Sequence, residues 1–395
     1  WFRQSGQRCG GKDPPLHQGG GMKERRSSLN AAGGGAAKSS PGRERARKSK
    51  TLSGTFSPVL GKAAENAESK IEKAKAEESR VLNLSGLNLS FLPQSAKELT
   101  SLRRVNLAQN KLKYLSDQVC AAWCNLVSLR LVDNSLEQLP DSICHLQCLE
   151  SLDASCNGLV ALPDSLVGLA KLEELSLWGN QLTGISVGKD RVEAASSTLR
   201  TLDVGYNCIR TWPAELRFFN QLREVRLGHN QLESVGKEVG ELGCLTSLHL
   251  EGNRLETLPE EIGALTSLRT LNLRWNGLKH LPSSFSRLTA LKDLKLSNNV
   301  LEDTVGEGGE TVPLLSLLRN MSSLTLLHVW DNRLTSFCLD FDLPSLTELD
   351  ISSNAIVTVD ENAFLCCPAL RHLFAGHNCL SSLPPLPDNV ASLHA

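Results

Sequence analysis

The sequence predicts an α/β solenoid: a curved parallel sheet on the concave face, with short helical or irregular segments on the convex side. The stretch LRTLNLRWNGLKHLP (268–282) falls on LTSLHLEGNRLETLP (245–259) after a shift of 23 residues, so that Leu268, Leu271, Leu273, Asn276, Leu278 and Leu281 match Leu245, Leu248, Leu250, Asn253, Leu255 and Leu258. An asparagine recurs in that slot as Asn110, Asn134, Asn157, Asn180, Asn207, Asn230, Asn253, Asn276, Asn299, Asn332, Asn354 and Asn378, mostly in steps of 22–24 residues. Leu-Pro pairs (Leu139-Pro140, Leu162-Pro163, Leu258-Pro259, Leu281-Pro282) close many of the turns. A fixed period of this length marks a stack of equivalent coils, none of which can bury its own leucines alone.

Taken in order, residues 1–60 are rich in Gly, Ser, Lys and Arg, with 12 basic and 3 acidic side chains, a net charge of +9. A segment so poor in apolar residues is expected to be disordered. Its RRSSL (25–29), SSP (39–41) and SP (57–58) resemble kinase targets, though a Ser-rich tail carries such patterns by chance. Residues 61–79 (GKAAENAESKIEKAKAEES) have the Ala, Lys and Glu content of a helix and are read as a lead-in helix. Residues 80–395 form the array, about 13 coils with the last truncated. VLNLSGLNLSFLP (81–93) is its first turn, with Leu87 in the Asn slot. The steps from Asn180 to Asn207 and from Asn299 to Asn332 are longer, 27 and 33 residues, and carry the inserts GISVGKDRVEAASS and EDTVGEGGETVPLLSLL. Beyond residue 60 the chain has 30 basic and 40 acidic side chains, a net of −10, so a basic arm precedes an acidic body.

In the x-L-x-L-x core of each turn both leucines point inward, and each coil adds one parallel strand about 4.8 Å from the last. The Asn amide both donates and accepts, so it satisfies backbone groups where the chain leaves the strand, as a structural ladder. The template L-x-x-L-x-L-x-x-N-x-L, over about 315 of the 395 residues, resembles the leucine-rich repeat family. The convex LPDSICHLQCL, LPEEIGALTSL and LPSSFSRLTAL, with the lead-in EESRVLNLSGLNLSFLP, resemble its intracellular Ras-group class. That resemblance implies a signalling scaffold working with a small GTPase or a phosphatase complex. Val235-Gly236, where Leu-Pro is missing, departs from the class pattern.

Catalytic chemistry finds no foothold. SVGKD (186–190) lacks the Gly-rich loop of a phosphate cradle, and the nine His are scattered. Cys120, Cys124, Cys144 and Cys148 have the look of a four-thiol site, but Cys120 and Cys144 each lie ten residues after a ladder Asn, so stacking alone brings them together. No enzyme activity, metal, cofactor or small-molecule substrate is expected. No apolar run reaches the roughly 20 residues that span a bilayer. Twelve Cys without clustered flanking caps fit reduced thiols and a cytoplasmic location. The chain begins with Trp and has Met22 inside, the pattern of a fragment or an over-extended reading frame.

The outward positions of the strands carry the functional reading. Aromatic residues make up only 5% of the chain, yet Trp178, Trp275 and Trp330 fall on the concave side with Tyr206, near Arg226, His249, Arg274 and Lys295. Trp, Tyr and Arg dominate binding hot spots. These eight residues are the expected binding surface for a protein partner, against the plainer alternative that a few large side chains merely cover the sheet. Two other functions stay open. The array could be the repeat region of a larger enzyme or receptor, with a kinase, ligase or GTPase domain beyond Ala395. The +9 arm could bind nucleic acid or an acidic membrane, though Trp1, Phe2 and Phe56 are its only stacking groups.

Overall fold

The computed structural model describes residues 58–185, 198–305, 311–312 and 314–394. The basic arm with its kinase-like motifs, apart from residues 58–60, and residues 186–197 of the first insert lie outside the described residues.

Helix α1 runs Pro58–Ala76, starting and stopping three residues before the 61–79 expected from composition. Its end has a local cause. Glu78 takes a left-handed backbone (φ 47°), Ser79 N–H donates to Ala74 O at 2.8 Å, and Glu78 N–H donates to Lys75 O at 3.2 Å. This pair of bonds caps the last carbonyls and turns the chain out of the helix. Ala63, Ala67, Ile71 and Ala74 form a buried stripe at helical spacing and join the same core as Leu82 and Leu84 of the first coil.

Among the described residues, fourteen strands form one parallel sheet in chain order, from Val81–Asn83 to Ser392–His394. That is one strand more than the thirteen or so coils expected. Registers align equivalent positions, such as Leu248 with Leu271 and Leu271 with Leu294. The middle residue of each strand from Val81–Asn83 to His372–Phe374 is buried and its neighbours are not, the period-2 pattern of a sheet covered on one side.

On the convex side the returning chain makes five-residue 3-10 segments: Gln94–Glu98, Asp141–His145, Asp164–Gly168, Ala214–Phe218, Lys237–Glu241, Glu260–Ala264, Ser283–Arg287 and Leu314–Leu318. One coil instead carries a short helix, α2 (Asp117–Ala122), whose following Trp123 is buried and donates through Nε1 to Ala96 O at 3.0 Å. Seven of these eight 3-10 segments follow a proline in the sequence, whose fixed φ suits that entry. Gly236 takes the same backbone (φ −72°, ψ 154°), and a Cβ there would stand 2.7 Å from Cδ1 of Trp212. Trp212, which replaces the usual Leu one coil earlier, and Glu238 fill the space a side chain at 236 would need, which accounts for glycine in the proline position.

The second insert contains a small antiparallel hairpin, Thr304–Val305 with Thr311–Val312. The Asp303 carboxylate anchors its base, accepting from Leu314 N–H at 3.2 Å and from Thr335 Oγ1 at 2.9 Å. In the coils that follow, Ser336–Phe337 and Thr358–Val359 pair as a short parallel ladder on the convex side, and Phe337 stacks on Phe364 at 5.5 Å.

Candidate functional site

The outward face of the sheet is shaped first by how each coil leaves its strand. The ladder asparagines stitch successive coils together. Asn253 donates through Nδ2 to Leu227 O (3.0 Å) and Leu250 O (2.9 Å), and accepts through Oδ1 from Leu232 N–H (3.0 Å). Asn110, Asn180, Asn207, Asn230, Asn253 and Asn299 are buried; Asn134, Asn157, Asn276, Asn332, Asn354 and Asn378 are half-buried with the same carbonyl and N–H partners. The residue before each Asn is left-handed, including Tyr206 (φ 53°), His229 (φ 53°) and Trp275 (φ 54°). Because Gln109, Asp133 and Asp331 do the same, this conformation belongs to the fold, held by the Asn bonds, and not to a strained functional loop.

That slot and the column beside it build a continuous run of rings. Trp178 lies 5.1 Å from Tyr206, Tyr206 stacks on His229 at 4.1 Å, and His229 lies 6.1 Å from Trp275. The Arg274 guanidinium extends the run, 4.8 Å from the Trp275 ring and 5.5 Å from the Trp330 ring. Offset and tilted pairs at these separations are the favoured aromatic geometries, and Arg over Trp adds a cation–π attraction. Tyr206 and Trp275 remain about half exposed, at 50% and 48%.

Beside the rings sits a polar cluster. Arg226 reaches Glu224 at 2.7 Å and Asp203 at 3.4 Å. Burial works against its charge, and the two carboxylates outweigh that, holding the Arg226 pKa above its ordinary value. Ser247 Oγ lies 2.9 Å from His249 Nε2, and the Glu224 and Glu251 carboxylates stand 4.0 and 3.9 Å from the ring. Burial lowers the pKa of both His249 and His229, with Glu251 pulling the other way.

Two glycines leave floor space here. A Cβ on Gly205 would meet Trp178 Cδ1 at 3.1 Å, and one on Gly228 would meet Glu251 Oε1 at 2.6 Å. Trp178 and Glu251 therefore lie across bare backbone on neighbouring coils.

Of the eight residues singled out from the sequence, Trp178, Tyr206, Arg274, Trp275 and Trp330 lie along the ring run, Arg226 and His249 in the polar cluster. Lys295 stands near His249, whose pKa its charge helps to lower. Sequence reading of the site omitted His229, which bridges Tyr206 and Trp275, and the acids Asp203, Glu224 and Glu251. Glu224 occupies the first outward slot of its strand, a column that reading did not lay out. His229 had the same slot as Tyr206 but no aromatic count to flag it.

Two buried thiols are poorly suited to chemistry. Burial pushes Cys120 up to about 11 and Cys367 up to about 12, away from the thiolate that metals and nucleophilic steps require. No group of three or more His, Cys, Asp or Glu among the described residues could hold a metal ion. No helix among them is long and apolar enough to cross a membrane.

A family model described as leucine-rich repeat region matches residues 198–365, and one described as leucine rich repeat matches residues 124–182. Among solved structures, a leucine-rich repeat protein of Leptospira interrogans is 28% identical, covering 82% of this chain and 86% of its own, with a TM-score of 0.70. The leucine-rich effector protein YopM of Yersinia pestis is 27% identical, covering 86% and 89%, with a TM-score of 0.63. The ectodomain of the membrane receptor kinase GASSHO1/SCHENGEN3 of Arabidopsis thaliana, in complex with CASPARIAN STRIP INTEGRITY FACTOR 2, is 27% identical over 71% of this chain and 37% of that one, with a TM-score of 0.55. No curated protein matches the sequence significantly.

Proposed function

The chain belongs to the leucine-rich repeat family, whose members are typically non-catalytic protein-binding scaffolds, and from that premise we propose that it binds a protein partner on its concave face through the surface between Trp178 and Trp330. The observation that carries this is the unbroken ring run Trp178–Tyr206–His229–Trp275–Arg274–Trp330 on the outward side of the sheet. A stable sheet needs none of these large side chains there. Strands about 4.8 Å apart spread the seven coils over roughly 30 Å, the width of one ordinary protein interface.

The finer reading is a cytoplasmic signalling adaptor of the Ras-group-like class, with a small GTPase or a phosphatase complex as the partner. The convex LPEEIGALTSL type of segment supports it. Co-precipitation of the full chain with GTP-loaded but not GDP-loaded GTPases would support that assignment, and equal capture of both states would count against it.

The concave surface is tested by pairing two double variants. Arg274→Ala with Trp275→Ala is expected to weaken binding of a captured partner by about 2 kcal/mol or more, the loss typical of hot-spot truncation. Thermal stability should move far less than it would for a core Trp. Lys237→Ala with Arg287→Ala, both exposed on the convex 3-10 segments, should change neither. Retention of the partner by the Arg274/Trp275 variant and its loss from the convex variant would put the surface on the other side of the solenoid.

A further inference from the structure

We propose that Arg274 and Lys295 form an anion anchor within this concave surface, taking the carboxylate of an Asp or Glu side chain on a protein partner whose flanking residues are apolar. The inference rests on the concave-face reading above and adds to it the chemistry of the partner.

Two arginines on the outward face of the sheet are paired within the chain. Arg130 lies 3.9 Å from Asp153, and Arg226 sits between Glu224 and Asp203. Among the described residues, Arg274 and Lys295 make no ion pair. Of the acids nearby, two are hydrogen-bonded elsewhere, and Glu251 turns away with its Oε2 buried and without a hydrogen-bond partner. Glu251 precedes Arg274 in the same column but leans back over Gly228, its Cδ 2.7 Å from where a Cβ would stand. Asp293 accepts from Thr325 Oγ1 at 3.3 Å, and Asp331 accepts from Asn298 Nδ2 at 2.5 Å.

Arg274 leans the other way, along the column toward Trp330, with Ser297 between them. Its Nε is shut off from solvent with no hydrogen-bond partner, and so is Ser297 Oγ. A guanidinium between two indoles keeps its planar donor edge while losing competing water. In such surroundings a fork of N–H donors holds a carboxylate more firmly than in open solvent. Lys295 adds a second positive charge one coil further on. Trp275 and Trp330 offer apolar contact to the residues on either side of the acid. A nucleic acid suits the surface poorly: its row of phosphates would extend over Asp203, Glu224 and Glu251 on the three preceding coils, which one carboxylate seated toward Trp330 does not meet.

The test is selection of peptides from a displayed random dodecamer library on the full-length chain, followed by titration of synthetic binders against variants. The expected binders share one acidic position with apolar neighbours. Replacing that acid by its amide, or introducing Arg274→Gln or Lys295→Gln, should weaken binding about tenfold or more, as for loss of one partner of a shielded charge pair. Higher salt should narrow the difference. Two single variants are used so that a fold defect in one, visible as a lowered melting temperature, leaves the other informative. Binders abolished by Trp178→Ala with Tyr206→Ala but neutral in sequence, or indifferent to Arg274→Gln and Lys295→Gln, would overturn the anchor while the concave surface stands. Binders that require a phosphorylated residue in place of the acid would also overturn it. Binders indifferent to all four substitutions, or no binders, would overturn both readings.

Discussion

Asn253 shows how much one side chain can carry in a stack. Its amide serves four backbone groups, two of them on the preceding coil, and a methyl group in its place would leave Leu232 N–H unsatisfied in a buried setting and Leu227 O with only its bond from Asn230. Asn253→Ala is therefore expected to cost about 1–3 kcal/mol in urea unfolding, and parent-like stability would show that water takes over those bonds. This role was legible in the sequence because it repeats twelve times. Glu260 was not legible, because its job depends on the next coil. Its carboxylate accepts from Ser284 N–H at 2.9 Å and Ser283 N–H at 3.1 Å, and these bonds, the Ser284 backbone bond first, hold its pKa below the ordinary 4.5. A depressed carboxylate pKa stabilises the fold above about pH 4.5, and that contribution disappears as pH falls through the lowered value. Glu260→Ala should thus melt below the parent at pH 7, with the gap closing in acid. A gap that stays constant down to pH 3 would refute the hydrogen-bonded carboxylate.

Single elements were read with uneven success for physical reasons. Alternation of buried and outward residues fixes the strands, so Leu271 and the columns beside it could be placed from the period alone. The ends of α1 could not, since Glu78 adopts its left-handed turn without a glycine to announce it. The columns also said nothing of which way a long side chain leans. Glu251 turns toward the space left by Gly228, while Arg274 turns toward Trp330, and Trp330 lies beyond the 33-residue step that breaks the period. Packing between convex segments was equally hidden. Gly263 in Glu260–Ala264 faces Ser284 so closely that a Cβ would stand 2.4 Å from Ser284 O and 2.6 Å from Ser284 Cβ. Backbone cannot swing aside as a side chain can, so Gly263→Ala should force the two segments apart and destabilise by about 1–3 kcal/mol. Its φ is not left-handed, so a loss of that size would come from contact alone; a stable Gly263→Ala protein would show that the segments slide at no cost.

At the scale of the whole molecule, the stack should tolerate loss of a coil but not of half a coil. Each coil touches only its neighbours, so stability is close to a sum of coil and interface contributions. Deleting residues 254–276 joins Asn253 to Gly277 and keeps every leucine and ladder Asn in phase. The new convex contact is also admissible. Gly240, 23 residues before Gly263, moves opposite Ser284 and supplies the same missing side chain. Lys237 replaces Glu260 in that contact, so the hydrogen bonds to Ser283 and Ser284 are lost and the shortened array should unfold at lower urea than the parent, yet in one cooperative step. Deleting only residues 254–264 places Leu265 directly after the ladder Asn, turns inward positions outward and should abolish the transition. The full-coil deletion also removes Arg274 and Trp275 and brings Glu251 beside Ser297, so peptides selected for an acidic residue should no longer bind although the sheet survives. Circular dichroism with urea titration separates these outcomes. A folded half-coil deletion, or an unfolded full-coil deletion, would mean that the array is held together by something other than equivalent contacts between successive coils.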